Sequence, residues 1–85
     1  RFARKLTDDN LYVEYYKAET IENIVRVIRE KRIKMSGLEI SRVTDEDGRH
    51  RYSAVATVQI NKRKLDDELV KILTGLENVL AVEEL

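Results

Sequence analysis

Eighty-five residues at 10.0 kDa, 42% hydrophobic and 38% charged, with three Gly, no Pro and no Cys, suit one small domain with little loop and exclude a multidomain enzyme. The lack of Cys removes disulfide scaffolds and thiolate metal sites, and a single His leaves little for a structural zinc. Sixteen Lys+Arg against sixteen Asp+Glu also remove the basic footprint of a protein held on a phosphate backbone.

The chain opens at Arg1 without Met, as expected of a piece of a longer protein. Residues 1–10 read as a lead-in whose basic-apolar start (Arg1 to Leu6) is also what the cytoplasmic end of a membrane helix looks like, since positive charge is retained on that side. No apolar run reaches the roughly 18–20 residues of a span. The domain proper is expected over 11–85. Leu11, Val13 and Tyr15 alternate with Tyr12, Glu14 and Tyr16, so the first strand runs from Leu11 to Lys17. Thr20 is the N-cap candidate of a helix carrying Ile21, Ile24, Val25 and Ile28 on one face, with Glu22 near its start and Arg29, Lys31 and Arg32 near its end. Leu38 and Ile40 alternate with Glu39 and Ser41 in a second strand, which Asp45-Glu46-Asp47-Gly48 turns into a hairpin. Tyr52, Ala54, Ala56, Val58 and Ile60 mark one face of a long third strand, and the small Ala pair lets helices sit close. Leu65, Leu69, Ile72, Leu73 and Leu76 recur at helical spacing behind Asp66, Asp67 and Glu68, and Gly75 ends that helix. Val79 to Val82 closes as a fourth strand.

The order βαββαβ predicts an α+β, ferredoxin-like two-layer sandwich: a four-stranded antiparallel sheet with two helices on one face. That topology hosts many activities, so function has to be argued from sites.

Catalysis lacks its parts. His50 lies beside the hairpin turn between Arg49 and Arg51, with no nucleophile and base arrangement, glycine-rich phosphate loop or metal-ligand spacing around it. No catalytic residue, metal ligand or cofactor is assigned. The acids Asp45 to Asp47 lack the alternating spacing of a calcium loop and read as a solvated turn. Leu11-Tyr12-Val13 is similar to the opening of the RNA-recognition motif's first strand. The third strand argues against that reading, because Val55 and Thr57 stand where stacking rings are needed. The expectation is no nucleic-acid partner, with an RNA-binding module as the third option.

Two surfaces remain. The outward sheet face carries Tyr12, Tyr16, Val55 and Thr57, either an interface or plain cross-strand pairs. Topology gathers Arg4, Lys5, Lys31, Arg32, Lys34, Lys62, Arg63 and Lys64 at one end, where an anionic membrane surface would attract them at about 1 kcal/mol each. Asp66, Asp67, Glu68, Glu83 and Glu84 are read at the same end and offset them.

The layout as a whole resembles the C-terminal domain of the MgtC/SapB family of bacterial inner-membrane proteins, an ACT-like domain that follows transmembrane helices. The likeness is carried by the basic lead-in Arg1 to Lys5, the Leu11-Tyr12-Val13 strand and the helix around Ile24 to Ile28. It continues through Leu38-Glu39-Ile40, the Gly48 hairpin into Tyr52 to Ile60, and Leu69 to Leu76 leading into Val79-Leu80-Ala81-Val82. The resemblance implies a regulatory or interaction domain on the cytoplasmic side of the inner membrane, linked to magnesium homeostasis. Its implied partners are the membrane domain of the same protein, a second copy or another protein. Ordinary ACT domains bind amino acids as dimers beside a Gly-containing turn after the first strand. Here Ala18-Glu19-Thr20 fills that turn without Gly, although close backbone approach to a ligand usually needs it. A metabolite-sensing ACT dimer is the alternative reading.

Overall fold

The computed structural model describes residues 6–61 and 67–85. Its elements are β1 (Leu6–Tyr15), α1 (Thr20–Glu30), β2 (Lys34–Thr44), β3 (His50–Asn61), α2 (Asp67–Thr74) and β4 (Val79–Glu84). The strands form one antiparallel sheet in the order β2-β3-β1-β4. This is the expected ferredoxin-like βαββαβ sandwich. The sheet is built around β1 and β3, leaving β2 and β4 as its edges.

Period-two alternation decides which residues reach the core. Leu11, Val13 and Tyr15 of β1 and Ala54, Ala56 and Val58 of β3 are buried, and Leu11 faces Ala56 while Val13 faces Ala54 across the ladder. Ile24 and Ile28 of α1 and Leu69 and Leu73 of α2, each pair four residues apart, complete the same cluster. Full burial of an aliphatic side chain of this size is worth about 1.5–3 kcal/mol, so this set carries the fold. The two alanines lower the floor on which the helices rest. Tyr15 stacks on its cross-strand neighbour Tyr52, ring centroids 5.6 Å apart. Neither edge strand contributes a fully buried residue to the cluster.

Several boundaries differ from the sequence reading. The first strand, expected from Leu11 to Lys17, runs from Leu6 to Tyr15. Thr7-Asp8-Asp9-Asn10 has poor strand propensity but is held by the far half of β3, Ile60 to Thr57, a partner that local pattern cannot reveal. Thr20 is not the N-cap. It is the first helical residue and is buried, while Glu19 holds the cap position without a side-chain bond. The second strand, marked from Leu38 to Ser41, extends over Lys34–Thr44 with an irregularity between Met35 and Gly37. Leu65 and Asp66 lie outside the described residues.

Candidate functional site

On the helix-free side of the sheet, Tyr12 lies opposite Val55 and Asn10 opposite Thr57. Tyr12, Val55 and Thr57 therefore form one contiguous, half-buried patch. The patch is tied down by polar bonds. The Tyr12 hydroxyl donates to Glu14 Oε2 at 2.7 Å, and Thr57 Oγ1 donates to Asn10 Oδ1 at 2.9 Å. That bond to the Glu14 carboxylate, then desolvation and the carboxylate's charge, raise the Tyr12 pKa against the opposing pull of Ser53 and Arg51. Tyr16 does not join the patch. It follows the last residue of β1, exposed, and its backbone N–H donates to the Asn78 carbonyl at 2.9 Å.

The β1–α1 turn separates the other predicted group. Ala18 and Glu19 are exposed, but Thr20 is buried. The amides that open a helix are the usual place to hold a carboxylate or phosphate. Here Thr20, Ile21 and Glu22 donate them to the carbonyls of Lys17, Ala18 and Glu19 at 2.9, 3.3 and 3.1 Å. A ligand at this turn would compete with bonds already made.

At the opposite end of α1, Lys31 Nζ donates to Glu68 Oε1 at 2.8 Å, so the end of the first helix and the start of the second do meet. Arg32 and Lys34 are exposed nearby; Arg4, Lys5, Lys62, Arg63 and Lys64 lie outside the described residues. Glu84 and Glu83 face Leu11 and Tyr12, where the sequence reading began the first strand and midway along the longer β1.

At the hairpin tip the acids build the turn. Asp45 Oδ1 accepts the N–H groups of Asp47 and Arg49, both at 2.9 Å, and Gly48 takes a positive φ of 81°. His50 Nδ1 lies 3.0 Å from Thr44 Oγ1 on an exposed strand end. Among the described residues no group of His, Cys, Asp and Glu side chains is placed to hold a metal ion, and no helix is long and apolar enough to cross a membrane.

A partly apolar groove lies where the sequence reading placed no site. α1 lies beside β2 but covers the helix-facing side of that edge strand only in part. Leu38 and Ile40 are 40% and 51% exposed, and with Ile21, Glu22, Val25 and Arg29 of α1 they line an open groove. A second groove lined by Val25, Ile28, Arg29, Ile33, Lys34 and Met35 continues it toward the start of β2. The signal was available. In a βαββαβ sheet the second strand is an edge, and an edge strand that keeps an apolar alternation exposes it.

No family model and no curated protein matches the chain. Solved structures do. The C-terminal domain of the MgtC protein from Mycobacterium tuberculosis superposes with a TM-score of 0.74 at 20% identity, over 100% of this chain and 92% of that one. The chain has an ACT-like fold. The ACT domain of GTP pyrophosphokinase from Chlorobium tepidum matches with a TM-score of 0.69 at 16% identity, over 95% of this chain and all of that domain. A formyltetrahydrofolate deformylase from Pseudomonas putida matches with a TM-score of 0.66 at 14% identity, but over only 28% of its length. The ACT-like unit is thus similar to whole domains of the first two proteins and to a minor part of the enzyme.

Proposed function

We propose that the chain is a non-catalytic regulatory or interaction domain of an MgtC-like membrane protein linked to magnesium homeostasis, held at the cytoplasmic face of the inner membrane. The observation that carries this reading is the end-to-end match to the MgtC C-terminal domain, at a TM-score of 0.74. The surfaces agree with it: an apolar groove along an edge strand and a half-buried patch on the open sheet face suit macromolecular contact better than turnover of a small substrate. The test is growth of the host at limiting magnesium with the domain deleted from the chromosomal gene. Impaired growth that returns with the intact gene is expected, and unimpaired growth overturns the reading.

The match to the GTP pyrophosphokinase ACT domain favours a second reading, a metabolite sensor. Calorimetric titration with amino acids and with Mg²⁺ separates the two. On the first reading neither gives saturable heat, whereas saturation by an amino acid at micromolar concentration would establish the sensor. The helix-opening amides, spent on the carbonyls of Lys17 to Glu19, support the first.

A further inference from the structure

Both helices pack on one side of the sheet, so the side that carries Tyr12 and Val55 is open. Strand pairing sets one row of residues across all four strands there. Glu39 of β2 faces Val55 of β3, Val55 faces Tyr12 of β1, and Tyr12 faces Glu83 of β4. The Tyr12–Val55 pair is thus flanked by a carboxylate on each edge strand. Glu39 and Glu83 are exposed, and among the described residues neither carboxylate makes a hydrogen bond or ion pair. The neighbouring rows are built mostly of small side chains, Gly37, Thr57 and Asn10 on one side and Ser41, Ser53, Glu14 and Ala81 on the other. The remaining charges of this face offset each other: Arg51, close enough to Tyr12 to oppose the rise in its pKa, balances Glu14, and Lys34 balances Asp8 across Gln59.

We infer that this open face docks a basic amphipathic α-helix of a partner protein, laid along β1 and β3 with its apolar stripe on Tyr12 and Val55 and its cations reaching Glu39 and Glu83. The inference rests on the interaction-domain reading and names the partner's chemistry. The spacing fits such a helix. Three interstrand steps of about 4.7–4.9 Å put the Cα atoms of Glu39 and Glu83 about 14–15 Å apart, and a helix with its side chains is about 10–12 Å across. It therefore lies between the two carboxylates, within reach of a Lys or Arg stem on either flank. Tyr12 is half-buried although neither helix lies above it, so its ring lies along the sheet, anchored by its hydroxyl bond to Glu14, and presents a face on which a guanidinium stacks. Charge selects the class of partner. Nucleic acids and anionic membranes present phosphate, which Glu39 and Glu83 repel. The groove beside β2 makes no such choice, because Glu22 and Arg29 both line it.

The probe is a synthetic helical peptide with a leucine stripe flanked on both sides by arginines, and in its control peptide glutamates replace the arginines. The chain carries no formal net charge at neutral pH, so attraction has to be local. In titrations followed by amide NMR the arginine peptide is expected to shift the resonances of Tyr12, Val55, Glu39 and Glu83, less so as salt is raised, and the glutamate peptide to shift none. Glu39→Lys combined with Glu83→Lys should weaken binding by about tenfold or more with an unchanged circular-dichroism spectrum, because both residues are exposed and outside the core. Tyr12→Phe keeps the ring and should retain the affinity, whereas Tyr12→Ala should lose it. No binding at about 1 mM peptide, shifts confined to the groove beside β2, equal binding of the glutamate peptide, or an affinity unchanged by the double substitution each overturn the inference. Absence of binding would leave the growth test above standing, and binding at Tyr12 and Val55 with unimpaired growth would do the reverse.

Discussion

Arg32 occupies a backbone position that suits glycine. α1 closes in a Schellman arrangement: Arg32 N–H donates to the Arg29 carbonyl at 2.8 Å and Ile33 N–H to the Ile28 carbonyl at 3.3 Å, with Arg32 at φ 61°. The accompanying hydrophobic contact is formed as well, since Ile28 and Ile33 line the same groove. The left-handed region costs a non-glycine residue about 1–2 kcal/mol, while glycine gives back about 0.5–1 kcal/mol through the freer unfolded chain. Arg32→Gly should therefore gain about 0.5–1 kcal/mol from the backbone. The substitution also removes a cation near a helix C-terminus, worth about 0.3–1 kcal/mol at an exposed site. Arg32→Gln isolates that loss, because it keeps the Cβ and the strain. The difference between the two variants is the backbone contribution. For a chain of 85 residues it corresponds to Arg32→Gly melting about 2–8 °C above Arg32→Gln. Thermal unfolding followed by circular dichroism, with urea denaturation as a second measure, reads it directly. Equal melting of the two variants, or Arg32→Gly below Arg32→Gln, would refute the reasoning.

Leu73→Ala removes a fully buried side chain from the α2 face of the core and should cost about 2–5 kcal/mol, measured by urea denaturation. Glu68→Gln breaks the contact with Lys31, whose partners are 65% and 27% exposed. It should cost less than about 1 kcal/mol, and less still in high salt. The Tyr15 pKa is raised above 10.0, first by burial and then by Tyr52, so the folded chain holds that proton more tightly than the unfolded one. Its stabilising contribution is complete below pH 10 and is lost as pH climbs through the raised value. Tyr15→Phe should flatten the alkaline decline in melting temperature, and tyrosinate absorbance titration should show Tyr12 and Tyr15 ionising late, with the substitution removing one of the two.

Legibility from sequence differed by element. Ile24 and Ile28, Leu69 and Leu73, and the alternation through Tyr52, Ala54, Ala56 and Val58 announce elements whose own periodicity matches the face they bury. Thr20 misled because Thr before an apolar helix face usually caps it, whereas here its side chain is drawn under the helix. The end of α1 carried no glycine to mark it, since Arg32 accepts the positive φ instead. Of the candidate surfaces, Tyr12, Val55 and Thr57 do come together, as alternation requires once β1 and β3 are neighbours. Tyr16 belongs to the same alternation but follows the strand's last residue, where the N–H bond to Asn78 takes over.

The sequence by itself determined the element order, the core-facing residues of the central strands and the helical periodicity of Ile24 with Ile28 and of Leu69 with Leu73, because each follows from short-range periodicity. Only the tertiary structure decided that β1 extends back to Leu6, which requires the far half of β3 as a partner. It likewise decided that Leu38 and Ile40 stay exposed. A strand's apolar face is buried only where a helix covers it, and α1 covers the helix-facing side of the edge strand β2 only in part.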